Sequence, residues 1–439
     1  MKAPAIRRFR RTSFARHRER GITMLLVAAA MVAIIGMAAL SIDVVTLYLA
    51  REEAQRSADA AALAAARVLS LSGVTGDPDN TTGNWPNACS TAAQVAQAVA
   101  NQNAVGSTAP STVNVNFMYK GTAVANCSFA GANAFGVNPQ VQVQVIRGGL
   151  PTLFSRIWSR NPNSVSATAT AEAFNSSASG AVAPGGIVPV NPRCVKPWII
   201  PNKDPGNAGN PFVNLGDGSI LNPGIQVNGA GTGVIGETFL LSDACSGPDC
   251  DNMNSSAPAV GSYVPAYVTS NASAYPTCAD DSVYQTAVGG CDQTTPYECG
   301  VSTAAGSQAR ADLTINPKND TFAAAQCLLR QPGQDSIDTT VFPYQIKAGA
   351  NNPVINTGAV TSSRSIVTVP IYDGAALSAV NYPPVTIVGF LQVFVNQANG
   401  DGSLSVTVLN VAGCSNAATN PPVPASGTSP VPIRLITPQ

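Results

Sequence analysis

The chain has 439 residues, 45% hydrophobic and only 11% charged, and its 24 basic and 24 acidic side chains sum to zero. That length allows two or three domains with real cores, and the sparse charge, 38 glycines and 33 prolines fit neither a charged disordered chain nor an ordinary cytosolic enzyme. The single histidine, His17, leaves the body without Ser–His–Asp, Cys–His or HExxH chemistry, and neither SxxK nor GxSxG occurs.

The zero conceals a sorting of charge. Residues 1–20 carry eight basic side chains against Glu19, a net +7, while the other 419 residues carry 16 basic and 23 acidic ones, a net −7. Residues Ile22–Ile42 then run for 21 positions without a charge, long enough to cross a bilayer as a helix. The basic head (1–20) predicts a cytoplasmic N-terminus, a transmembrane helix over 21–42 and everything after Asp43 on the far side. The apolar run exceeds a signal peptide's 7–15 residues, which predicts an uncleaved anchor. No Gly or Pro interrupts Asp43–Leu71, where Ala, Leu, Arg, Glu and Gln dominate. A helix from about Gly21 to Leu71 would be roughly 75 Å long and project well past the membrane. Ala50, Ala54, Ala58, Ala62 and Ala66 recur every four residues, either as simple helix formers or as a ridge for close approach of another helix, including a second copy.

Arg20-Gly21, the apolar span, Ile42-Asp43, Leu47-Tyr48, Gln55 and Ala58-Asp59-Ala60-Ala61-Ala62-Leu63-Ala64-Ala65 together make a pattern over residues 20–69. This pattern resembles the Tad/Flp pilus-assembly TadE/TadG-like family. In that resemblance Arg20, Gly21, Asp43, Gln55 and Asp59 are the residues of membrane boundary and helix packing. Pilins of the system have Glu five positions after the Gly, where this chain has Leu26. The resemblance therefore implies an anchored assembly component rather than a polymerising pilin. Its partners would be the inner membrane and pilus or secretion-apparatus proteins. Some relatives carry a metal site opening with DxSxS, and Asp401-Gly402-Ser403-Leu404-Ser405 matches the string. Only 34 residues follow Ser405, too few for the remaining ligands, and Asn399–Gly402 reads as a turn between strands.

Ser90–Asn101 reads as a short helix, and 113–119, 141–146 and Val165–Phe174 alternate with the period of half-buried strands. PTLFSRIW (151–158) suits a short helix with proline in its first turn. The predicted fold is α+β: the transmembrane helix continues into a long extracytoplasmic helix packed on a small antiparallel sheet over 43–175, a pilin-like unit. Residues 176–192 read as a linker. Residues 193–439 hold seven strand candidates between Gly, Pro and Asn turns, which predicts an all-β, disulfide-containing extracytoplasmic domain.

The ten cysteines divide into two and eight across the linker, without CxxC spacing, as disulfides outside the cytoplasm require. Cys89–Cys127 is fixed by domain membership, and Cys245–Cys250 and Cys291–Cys299 are plausible local staples. Asp243, Asp249 and Asp251, with Asp280-Asp281, lack the DxDxDG order of a calcium loop and read as turn residues. No metal, cofactor or nucleic-acid partner is expected. A membrane-anchored adhesin is the alternative, with Trp198, Tyr263, Tyr267 and Tyr275 as a shallow aromatic site.

Overall fold

The computed structural model describes residues 19–77, 82–119, 122–124, 127, 138–151, 154, 162–177, 190–244, 259–266, 282–291, 297, 308–310, 317–374, 384–414, 423–424 and 428–436. Helix α1 (Glu19–Leu71) is continuous over 53 residues. It stops where Gly73 takes φ 76°. A Cβ at Gly73 would lie 2.6 Å from Ile235 Cγ2 and 2.7 Å from the Leu409 carbonyl oxygen, so glycine is required for both backbone and space. Helix α2 (Trp85–Gln102) opens with a proline in its first turn and runs five residues further back than the sequence suggests.

Strands β1 (Thr112–Tyr119), β2 (Thr122–Val124), β3 (Gln140–Leu150) and β4 (Asn163–Ala173) form an antiparallel sheet under these helices. Its alternation sorts the two faces. Val141, Val143, Val145, Ala167, Ala169 and Ala171 are buried toward α1, while Gln142 bonds Thr170 and Asn114 bonds Gln144 on the outer face. The layer is built from alanine. Ala50, Ala54, Ala58, Ala62 and Ala66 of α1 and Ala88, Ala92, Ala96 and Ala100 of α2 are all buried. Small side chains let the helices approach until the Ser57 hydroxyl donates to the Ala100 carbonyl at 3.3 Å. The four-residue alanine ridge is thus covered by this chain's own α2 and sheet, and a second helix does not find it free. Cys89–Cys127 staples α2 beside the edge-to-face pair Trp85–Phe117.

Beyond residue 190 the chain adds β5 (Val190–Asn191), β6 (Trp198–Pro201), β7 (Thr238–Asp243), β8 (Ser262–Pro265) and helix α3 (Val283–Gly289). There follow β9 (Gln308–Arg310), α4 (Pro317–Leu329), β10 (Ser336–Asp338), β11 (Gln345–Lys347), β12 (Ala359–Val360) and β13 (Ile366–Tyr372). The last are β14 (Pro384–Ala398), β15 (Leu404–Gly413), β16 (Val423–Pro424) and β17 (Ile433–Ile436). Six of these strands pair in the order β13–β6–β8–β7–β15–β14, and β14 pairs back on β13, so the sheet closes into a barrel. Closure removes the open edges such a sheet would expose. Two of its pairings, β13 with β6 and β7 with β8, are parallel, and the rest are antiparallel. Both faces are buried on β6, β8, β13 and β15, whereas β7 exposes Thr238, Leu240 and Ser242. Trp198, Ile200, Tyr263 and Val369 join the main core, and Ile199, Val264, Tyr372 and Phe390 pack with Phe174 and Val195 in a second cluster.

The two halves are joined by more than a linker. One cluster of buried side chains runs from Ala50 of α1 to Val431. Where α1 ends, a buried polar junction ties it to β15. Asn410 donates from Nδ2 to the Ser70 carbonyl at 2.7 Å and accepts the Thr75 hydroxyl at 3.3 Å. Asn175 Nδ2 donates to Thr75 Oγ1 at 3.1 Å and to the Val411 carbonyl at 3.1 Å. The Ser176 hydroxyl donates to the Gly413 carbonyl at 2.7 Å, and that of Ser70 to the Val431 carbonyl at 2.6 Å. Near the C-terminus, β17 returns to the first sheet and pairs antiparallel with β4. Arg434 there forms an ion pair with the nearly buried Glu172 and stacks over the Phe174 ring at 4.7 Å.

Several expectations change. Residues 193–439 are not all-β, because α3 and α4 lie within them. Nor does the boundary at 175 divide the core, since β17 completes the first sheet. Cys291 bonds Cys194, not Cys299, because β6 and the end of α3 bring the first two within 4.4 Å (Cα–Cα). Cys327 and Cys414 are also disulfide-bonded, whereas Cys245, Cys250 and Cys299 lie outside the described residues, as do most of 151–158 and all of 311–316. The junction carries a prediction. Asn410→Ala and Asn175→Ala should each lower the unfolding free energy by about 1–3 kcal/mol, because each leaves buried backbone groups without a partner. In denaturant titrations of the full chain the double variant should lose less than the sum of the two, as members of one network do.

Candidate functional site

Most of the first 30 residues of α1 lie outside the folded body. Met24, Leu25, Val32 and Ile34 are 61–78% exposed, and apolar exposure continues through Leu49. Among the described residues one helix is long and apolar enough to cross a membrane, and it is this one; only 6% of its most apolar stretch is buried. A helix satisfies its own backbone in hydrocarbon, and these side chains are better solvated there than in water.

The motif residues take separate roles along this helix. Arg20 lies in its first turn by backbone, and a Cβ at Gly21 would meet nothing within 4 Å. Asp43 is the one charged position between Arg20 and Arg51. It is 3% exposed, and its Oδ2 accepts the backbone N–H of Phe154 at 3.0 Å. Asp43, a membrane-boundary residue in the family resemblance, is enclosed by the chain itself. Gln55 donates from Nε2 to Asp59 Oδ1 at 2.8 Å and reaches the Thr168 carbonyl of β4 at 3.4 Å. The pair therefore fixes the helix over β4 while the alanines between them set its distance. On the other flank Glu53 accepts the Gly106 N–H at 2.7 Å.

Two titratable groups in the barrel half are buried and shifted. Lys196 is 4% exposed and donates to the Gly290 carbonyl at 2.6 Å and the Ala287 carbonyl at 3.4 Å, at the C-terminal end of α3. Its position suits the partial negative charge of those carbonyls, and burial pushes its ammonium down to about 7. Glu237 is 7% exposed, and its carboxyl is pushed up to about 8, by burial first and by the adjoining Asp204 carboxyl second. Asp204 itself accepts the Gly206 N–H at 2.9 Å and the Asn222 amide at 3.3 Å, organising the turn at Pro205–Asn207. The two carboxyls are enclosed and line neither of the two main clefts, so they act as a packed pair and not as a substrate site.

Those clefts, of about 260 and 200 Å³, adjoin at Ser362 and Ser363. The larger holds Asp335, whose carboxylate is already occupied by the Gly349 N–H, the Asn352 amide and the Ser363 hydroxyl. Asp401 of the DxSxS string accepts the N–H and hydroxyl of Ser403 at 3.0 and 2.6 Å, closing the turn between β14 and β15. The string is a hairpin turn here. Of the proposed aromatic patch, Trp198 and Tyr263 are fully buried core residues, and Tyr267 and Tyr275 lie outside the described residues. Among the described residues no three His, Cys, Asp or Glu side chains gather into a metal-ligand set.

Sequence reasoning found the long apolar helix and its motif but missed Asn175, Asn410 and the Asp204–Glu237 pair. The asparagines lie at a strand's end and within a strand, where an amide reads as loop chemistry, and 33 residues separate the two carboxyls. Glu237 gives a pH test with a defined sign. The folded chain holds its proton up to about pH 8, while the unfolded chain releases it near 4.5. The pair's contribution is therefore full below pH 4.5 and declines as pH rises toward 8. Glu237→Gln should raise the melting temperature at pH 7.5 and leave it nearly unchanged at pH 4, as calorimetry at both values would record.

No curated protein and no solved structure matches the chain. Residues 21–68 match the Tad family model, described as "Putative Flp pilus-assembly TadE/G-like". The matched segment covers the apolar run, Asp43 and the Gln55–Asp59 packing motif, so the long N-terminal helix and its seat on the sheet are the part of this chain that carries the TadE/G-like signature.

Proposed function

We propose that this chain is a membrane-anchored, non-catalytic assembly component of a bacterial Tad (Flp) pilus apparatus. The observation that carries this reading is α1: one unbroken helix bears the family signature, an exposed apolar segment long enough to span a bilayer, and the axis of the folded body. Residues 1–20 stay in the cytoplasm by their charge, the span crosses the inner membrane, and the body faces the periplasm or the cell exterior. Two disulfides that clamp the body suit that compartment. The body offers pilus subunits or secretion components a rigid surface and works through structure. Burial of Trp198 and Tyr263 removes two of the four aromatics on which an adhesin site would rest.

Deleting the chain in its native cell should reduce assembled Flp pili to the level seen without the system's secretion ATPase. Re-expression of the full chain should restore them, and re-expression of residues 43–439 behind a cleavable export signal should not. Normal piliation in the deletion, or full rescue by the unanchored body, would count against the proposal.

A further inference from the structure

Asp43 follows directly on the uncharged run Ile22–Ile42, yet it is 3% exposed, and Ala39, one turn earlier, is 8% exposed. Among the groups that reach Asp43 is the backbone N–H of Phe154, at 3.0 Å, from the connection between β3 and β4. The folded body therefore overlaps the anchor along its axis, as far back as the last turn of the uncharged run. That run has no slack to slide away. Gly21–Ile42 rises about 33 Å as a helix, against about 30 Å of hydrocarbon, and the basic residues before Gly21 hold its other end in water. A body that touches residues 39–43 of such a helix also touches the bilayer.

The helix beyond Asp43 has the chemistry for that depth. It stays uncharged to Ala50, and the faces turned from the body are apolar and exposed: Val44 55%, Val45 54%, Tyr48 64% and Leu49 55%. Exposed charge resumes at Arg51, Glu52 and Glu53. Tyr48 lies about 7 Å beyond Asp43 along the axis, within the interfacial layer of roughly 5–8 Å, where tyrosine is enriched. Phe154, bonded through its N–H to Asp43, is itself 37% exposed. A carboxylate at the hydrocarbon boundary is costly unless enclosed and bonded, which accounts for the burial of Asp43 and its Phe154 partner.

We propose that the folded body sits directly on the lipid surface, with Tyr48, Leu49 and Phe154 in the headgroup layer and Asp43 at the hydrocarbon boundary. The long helix is then no stand-off stalk, because its outer part is already inside the body. This seating rests on the anchor reading, and its test separates the two. Single tryptophans are introduced at exposed positions Ile34, Tyr48 and Arg56 of the full chain, which is reconstituted in phosphatidylcholine vesicles. The lipids carry bromine either near the headgroup or near the end of the acyl chain, and the emission of the parent's three tryptophans is subtracted.

Ile34→Trp should lose most of its added emission to deep bromine, Tyr48→Trp to shallow bromine, and Arg56→Trp to neither. Tyr48→Trp behaving like Arg56→Trp, with Ile34→Trp quenched, overturns the seating and leaves the anchor intact. No quenching at Ile34 overturns the anchor and the seating with it. A blue-shifted Tyr48→Trp that no bromine quenches means that protein, such as a second copy of this helix, covers the face, and it also overturns the seating.

Discussion

The polar junction at the end of α1 is the constraint on which the rest of the molecule depends. Helix, first sheet and barrel meet where Ser70, Thr75, Asn175 and Asn410 exchange hydrogen bonds in the absence of water. Such a network is worth little while any member lacks a partner and a good deal once all are satisfied. Its residues come from three parts of the chain, the end of α1 (Ser70 and Thr75), Asn175 and Asn410, so it closes only when the whole body has formed. Gly73 turns the chain there because Ile235 and the Leu409 carbonyl leave no room for a side chain. The helix end is thereby pressed against the barrel, and the exposed apolar segment becomes rigidly continuous with the body.

Alanine makes the arrangement possible at the other end of the buried helix. Stripes of alanine on α1 and α2, with more on β4, bring helix and sheet close together and bury backbone-adjacent surface instead of large side chains. Gln55 and Asp59 then register the helix on the Thr168 carbonyl. The same residues that carry the family signature thus carry the packing, and the span and the packing helix are one element with two solvents. Toward the N-terminus its apolar side chains are exposed, and toward the C-terminus they face alanine and valine. Asp43 marks the change.

The parts of this fold legible in the sequence are those with local periodicity. The uncharged run reports one helix, and the four-residue alanine repeat and the Gln-Val alternation of β3 each report an element and its buried face. The barrel is legible only as separate strands, because one of its pairings joins β6 to β13, about 170 residues apart and parallel, with no turn between them to give register. β17 is four residues long and is defined by Glu172 and Phe174 on its neighbour, not by its own pattern. The Cys194–Cys291 bond is likewise set by tertiary placement of β6 against α3, whereas sequence proximity points to Cys299. At the candidate site the motif residues were visible as a motif, but their division between lipid boundary and sheet contact needed the fold.

Native-state hydrogen exchange on the full chain in vesicles tests most directly whether the helix and both sheets form one cooperative body. The amides of residues 50–71 and those of β15 should exchange only by global opening, with equal protection that falls together as denaturant is added. If β15 opens at a lower free energy while residues 50–71 stay protected, the barrel is a separate domain hung on the helix. The shared junction would then not be the constraint described here.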